Sequence, residues 1–219
     1  MDGVSNIEII NSRFNDELQR QIAGMLPKVH TYQLGNAGDI LQSASIPNLP
    51  VELQASRLSD KSMQENHPFD LSEIKDLPKA IQNPMAVLRS ATHIGSYVIM
   101  TEIEHEGKNY VVALQANKRK GSIEINDIRS VHYRRTNAHI ANWIDEGLLE
   151  YADKKKLTGW INKQRYNSAE VTNSTGNLFK HAAKIIENFE NPKLLDTNLH
   201  HSAENSLNKK KYGNFKQKW

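Results

Sequence analysis

"SYVIMTEIEHEGKNYVVALQA", from Ser96 to Ala116, is the stretch whose reading decides the fold. Two apolar runs, Tyr97 to Met100 and Tyr110 to Leu114, flank the turn EHEGKN. Both are rich in Val, Ile and Tyr, side chains that fit a pleated, half-buried surface. Gly107 supplies the positive φ that a tight hairpin requires. The pattern predicts two antiparallel strands. NKRKG (117–121) reads as the next turn, and SIEINDI (122–128) as a further strand alternating Ile123 and Ile125. Upstream, PMAVLRS (84–90) is a short apolar strand. Strands that follow one another through short turns are antiparallel, not βαβ units.

Helices are expected on both sides of this run. In NSRFNDELQRQIAGMLP, Phe14, Leu18, Ile22 and Leu26 recur every four residues, the stripe of an amphipathic helix that stops at Pro27. QLGNAGDILQSASIPNLP reads as a short helical turn, and VELQASRLS alternates like a strand. Asp70 is an N-cap for a short helix from Leu71, and Glu73 reaches back in a capping box. After the strands, Ile140, Trp143 and Ile144 share a helical face that ends at Gly147. LLEY is a short strand, and Asp153 caps a helix with Leu157, Trp160 and Ile161 inward. Leu178, Ala182, Ile185, Ile186 and Phe189 mark a last amphipathic helix. The expected fold class is α+β, an antiparallel sheet of about four strands preceded and covered by helices. The expected division is a helical N-terminal extension (1–58), an α+β domain (59–190) and a disordered basic tail (191–219).

The formal charge of +3 is a property of the tail. Residues 191–219 hold six lysines against Asp196 and Glu204, which leaves the body near −1. Global basicity is therefore no argument that the body binds nucleic acid. The absence of cysteine excludes disulfides, thiolate metal sites and a cysteine nucleophile. There is no apolar run of the roughly 18 residues needed to span a bilayer, and residues 1–18 do not read as a secretory leader. No membrane partner is expected, and the cytoplasm is the expected compartment. Phosphate-binding glycine loops, HExxH, GxSxG and calcium loops are missing.

What remains is a polar set around the strands. It comprises His67 and Lys75, Arg89 and Ser90, Thr101 and Glu102, and Asn126, Asp127, Arg129, Ser130 and His132. Metal-free cleavage of RNA needs such groups: one takes the 2′-hydroxyl proton, another protonates the leaving 5′-oxygen, and cations offset the phosphorane charge. Each has a plainer reading. His67 before Pro68 suits a turn. Thr101 and Glu102 suit a strand surface. Asn126 and Asp127 suit local backbone bonds. The pair His105–Glu106 reads as solvated hairpin surface.

The ordered series HPFDLSEIKDLPKAIQNPMAVLRS, SYVIMTEIEHEGKNYVVALQA, IEINDIRSVHY and WIDEGLLEYADKKKLTGWI resembles the phage MuF C-terminal domain. The likeness runs from Ser59 to about Arg165. It is carried by His67, Asn83–Pro84, Thr101–Glu102, Val111 to Leu114, Asn126–Asp127–Ile128, Ser130, and Trp143 with Leu148 to Tyr151. One departure is Tyr133, which stands three residues after Ser130 where the pattern has two. The resemblance implies a place in the barnase–EndoU–colicin–RelE-like nuclease group of phage and mobile-element toxins. It thus implies a metal-independent endoribonuclease with no cofactor, acting on RNA such as tRNA, in its own cytoplasm or one it is delivered into. An immunity protein is the implied partner. The catalytic set would be His67 as general acid/base with Thr101, Ser130 and Arg89. Lys75, Glu102, Asn126 and Arg129 would hold substrate. The other reading is a non-catalytic interaction or packaging module of a mobile element, which the neutral body favours. A basic cleft from Arg89, Lys118, Arg119, Lys120, Arg129, Arg134 and Arg135 would favour the nuclease.

Overall fold

The computed structural model describes residues 6–62, 70–133, 136–167 and 173–192. His67, Arg134, Arg135 and the expected basic tail beyond residue 192 lie outside them. The predicted hairpin forms as β4 (Ser96–His105) and β5 (Lys108–Lys120). His105 faces Lys108, so the loop is the dipeptide Glu106–Gly107, both at positive φ (48° and 75°). Two such residues make the turn whose twist matches that of the strands. β6 (Ile123–Tyr133) follows antiparallel to β5. The second turn starts later than the sequence predicts. Lys118 to Lys120 still pair with β6, after a bulge at Asn117 (φ 53°).

The sheet is larger than expected, and this corrects the four-stranded antiparallel reading. It has seven strands in the order β1-β2-β6-β5-β4-β3-β7. β3 is Ala86–Arg89 and β7 is Leu149–Ala152. β1 (Thr31–Asn36) and β2 (Pro50–Gln54) come from the segment expected to be a helical extension. β2 lies parallel to β6, with Val51, Glu52 and Leu53 beside Asn126, Asp127 and Ile128. The sheet is therefore mixed. The reason is physical: β1 holds at most three inward positions, too few for a periodicity to register, and β2 and β7, legible as short strands, take their sheet partners from distant parts of the chain.

Helices flank both faces. On one face lie α1 (Asn6–Ile22), α2 (Asp39–Ser43), α3 (Ala55–Ser62), a 3₁₀ turn (Leu71–Ile74) and α4 (Leu77–Gln82). Phe14, Leu18, Leu41 and Leu58 pack there against Tyr32, Leu53, Val112 and Ile128. On the other face lie α5 (Ala138–Asp145), α6 (Lys154–Asn167) and α7 (Asn173–Asn188). Ile140, Ile144, Leu157, Phe179 and Ile186 pack there against Leu88, Met100 and Val111. Among the described residues, this second layer takes strand side chains from β3, β4, β5 and β7 and none from β1, β2 or β6. Among the described residues, α5–α7 therefore pack on the β7, β3, β4 and β5 part of that face.

Polar contacts fasten α1 to the rest. Asp76 sits at φ 64° between the 3₁₀ turn and α4. Its carboxylate accepts from Asn11 and from Asn15 (2.8 Å), and its N–H donates to Asn15 (3.0 Å). Those amide donors hold its carboxyl below the ordinary value. The cap at Asp70 forms as expected, accepting from Ser72 N–H at 2.8 Å. Asp153 likewise accepts from Lys156 N–H at 3.0 Å.

The N-terminal segment supplies two strands and the buried Phe14, Leu18, Tyr32, Leu34, Leu41 and Leu53. Each such side chain is worth about 1.5–3 kcal/mol on burial. Removal of residues 1–58 strips six such side chains and two strands, a loss comparable with the whole stability of a domain, about 5–15 kcal/mol. The truncated chain is expected to lack a cooperative thermal transition by circular dichroism.

Candidate functional site

Glu73 does not spend its side chain on the helix cap. It turns toward the hairpin. Nδ1 of His105 lies 3.0 and 2.9 Å from the two Glu73 carboxylate oxygens. The Tyr110 hydroxyl donates to the same carboxylate at 2.7 Å. The His105 ring stacks on Tyr133, with centroids 4.4 Å apart and planes 21° apart. Tyr110 meets Tyr133 edge-on at 5.7 Å, and Lys108 Nζ stands 5.8 Å from the centre of the Tyr133 ring. Four elements thus converge: the 3₁₀ turn gives Glu73, β4 gives His105, β5 gives Lys108 and Tyr110, and β6 gives Tyr133.

A carboxylate only accepts, so Nδ1 of His105 carries the hydrogen and Nε2 is left to exchange protons. The nearest acid to Nε2 is the exposed Glu106, at 3.9 Å. Burial, then the hydrogen bond to Glu73 and its charge, push the Tyr110 phenol well above the ordinary tyrosine range. Tyr110 therefore stays protonated and acts as a fixed donor. The side chains of His105 and Glu73 are 23% and 27% exposed. They are shielded enough to hold one geometry and open enough to meet a ligand.

Thr101 backs this cluster from inside. It is fully buried, and its hydroxyl donates to the Tyr110 carbonyl at 2.9 Å. Asn109 donates to the Thr101 carbonyl at 3.0 Å. This bracket sits where β4 bulges, between the pairs Met100–Val111 and Glu104–Asn109. Bulges re-aim the side chains beyond them, here His105. Asn137 steadies the hairpin by donating to the Gly107 carbonyl at 3.3 Å.

The other expected site residues disperse. Lys75 and Glu102 line one shallow groove of about 370 Å³ with Asp76 and Asn83, and Glu102 pairs with Lys156 at 2.8 Å. Arg89 pairs with Glu150 across β3 and β7. Asn126 is buried and donates to the Pro47 (2.8 Å) and Leu49 (3.2 Å) carbonyls, fixing the loop before β2. Ser130 is half-buried opposite Ala113. Arg129 lines a separate cleft and pairs with Asp127 at 3.1 Å. His67 falls outside the described residues. The sequence set thus does not gather at one point. Glu73, His105 and Tyr110 do, and sequence reading missed them as a group. The only signal was a histidine at a hairpin tip, which pattern alone cannot tell from solvated surface.

Asp127 is the most heavily paired acid described. Arg57 reaches both its oxygens (2.6 and 3.2 Å), Lys118 stands at 2.5 Å and Arg129 at 3.1 Å. Burial works to raise its pKa, but hydrogen bonds from Arg57, Lys118 and Arg129 outweigh it and hold the carboxyl below the ordinary value.

Residues 58–159 match the family model of the phage MuF C-terminal domain. The matched segment holds the whole Glu73–His105–Tyr110–Tyr133 cluster and ends within α6, so β1, β2 and α7 lie outside it. No curated protein and no solved structure gives a match.

A depressed acid stabilises the fold above its unfolded pKa, and that contribution is lost as pH falls through the folded value. Wild-type stability should therefore drop below about pH 4 in part through Asp127. Asp127→Asn should cost on the order of 3 kcal/mol at pH 7 and flatten the acid limb. Urea unfolding across pH 2–7 checks both.

Proposed function

We propose that this chain is a phage-related, metal-independent endoribonuclease module whose working group is His105, oriented by Glu73. The observation that carries this reading is the Nδ1 contact to both Glu73 oxygens, which leaves Nε2 at a partly open surface. A carboxylate that fixes the tautomer and orientation of an imidazole is a recurrent device of general acid–base catalysis.

In the proposed reaction one imidazole takes the proton from a ribose 2′-hydroxyl. The 2′-oxygen attacks the adjacent phosphorus, and the P–O5′ bond breaks. The leaving 5′-oxygen takes a proton from a second imidazolium. The products are a 2′,3′-cyclic phosphate and a 5′-hydroxyl end. His105 fills one proton role. His67, six residues before Glu73 in the chain, is proposed for the other. Lys108 offsets charge on the phosphorane. Thr101 is assigned a positioning part, since its hydroxyl serves the Tyr110 carbonyl.

The test is cleavage of a fluorescent RNA oligonucleotide by the purified full chain in EDTA. His105→Ala is expected to lower kcat/KM by about 10²–10⁴-fold, with products that end in cyclic phosphate. Glu73→Gln should lower kcat with KM little changed. An inert wild type would point to the interaction-module reading, and full activity in His105→Ala would remove this site.

A further inference from the structure

A cleft of about 600 Å³ opens on the α5–α7 face of the sheet, at the edge of that helical layer, where Val98 still packs against it. One wall is the loop between β3 and β4, with Ser90, Thr92 and His93. The floor crosses β4 and β5 at Ser96, Val98 and Gln115, and Arg129 of β6 closes the far side. This site lies on the opposite sheet face from Tyr110 and Glu73, and at the other end of β4 from His105.

Two observations point to the same ligand chemistry. The first is charge. Arg57, Lys118 and Arg129 converge on one carboxylate, Asp127. Arg57 alone reaches both of its oxygens, so two positive charges stand beyond what Asp127 balances. Among the described residues the acids nearby do not absorb them: Glu52 is paired with Lys120, and Glu124 faces Arg119 across the strands. Arg129 is half exposed, and Asp127, almost fully buried, pins it at the cleft. The second is hydrogen bonding. The hydroxyls of Ser90, Thr92 and Ser96, an imidazole and an amide line the cleft beside an apolar floor of Val98 and Ala113. Thr92 Oγ1 is 2.7 Å from His93 Nδ1, and Ser90 Oγ accepts the His93 N–H at 3.2 Å, so the loop presents these groups in a set order.

We infer that this cleft binds a phosphate monoester attached to a hydroxyl-bearing, partly apolar body, with Arg129 on the phosphate. A monoester carries about −1.5 to −2 charges at pH 7, which matches the two surplus cations. A phosphodiester, with one charge per phosphate, does not. Lys118 stands by at the same carboxylate as a second cation, and Gln115 with the loop hydroxyls meets the body. The site makes no use of Glu73 or His105, so it stands whether or not the ribonuclease reading does.

Isothermal titration and amide NMR of the full chain test this with 5′-AMP, adenosine and inorganic phosphate. A 5′-phosphorylated deoxy-oligonucleotide and its 5′-hydroxyl counterpart separate a free nucleotide from a nucleic-acid end. Saturable 5′-AMP binding is expected, with shifts at Ser96 and Gln115, weaker binding of inorganic phosphate and none of adenosine. Arg129→Gln should weaken 5′-AMP by about tenfold to a hundredfold, while His105→Ala leaves it unchanged. Lys118→Gln serves as a second variant, and the thermal midpoint of each reports folding. Binding of adenosine equal to that of 5′-AMP would overturn the inference. So would undiminished 5′-AMP binding in a folded Arg129→Gln, or a 5′-hydroxyl oligonucleotide that binds as well as its phosphorylated form.

Discussion

The pairing of β6 on both of its edges is the constraint on which the rest depends. One edge carries the long antiparallel ladder to β5, and the other carries the parallel step to β2. A parallel neighbour cannot come from a hairpin, so the chain must leave β2, build helices and three strands, and return. That return carries α3, the 3₁₀ turn and α4 onto one face of the sheet. It also sets Asn126 where it can hold the loop before β2, and Asp127 within reach of Arg57 on α3. The buried polar groups on β6 are satisfied only because β2 and α3 lie beside them.

The two polar clusters follow from the two ends of this sheet. At the hairpin end, an irregular β4 is bracketed by Thr101 and Asn109, which aims His105 at Glu73. At the other end, alternation along β6 and β2 turns Asp127 and Glu52 to the opposite face, where Arg57, Lys118, Arg129 and Lys120 cover them. One end offers an imidazole and a phenol held on one carboxylate, which fixes the imidazole's orientation. The other offers surplus positive charge beside hydroxyls and suits holding an anion.

Much of the architecture was legible in the sequence. The central hairpin, the strand after it, the caps at Asp70 and Asp153 and the C-terminal helical stripes all rest on short-range chemistry. Of the four short strands, only TYQLGN was not read as a strand, and VELQ and LLEY, read as strands, had no place in the sheet because their pairing comes from residues far along the chain. Ile22 belonged to the expected apolar stripe yet lies 44% exposed, while its neighbour Gln21 turns inward to Tyr32 and the Ala55 carbonyl. Glu73 fitted a capping box by spacing, but two stronger partners lay across the fold.

The sequence by itself determined where the strands of the central hairpin turn and where helices begin, since backbone preference and apolar period act over a few residues. It also carried the ordered motifs that match the phage MuF C-terminal domain over residues 58–159. Only the tertiary structure decided that Glu73, His105, Tyr110 and Tyr133 meet, and that Arg57 joins Lys118 and Arg129 on Asp127. Glu73 and His105 stand 32 residues apart in the chain, and Arg57 and Asp127 stand 70 apart. Nothing short of the register of the sheet and the docking of its helices brings them within hydrogen-bond range.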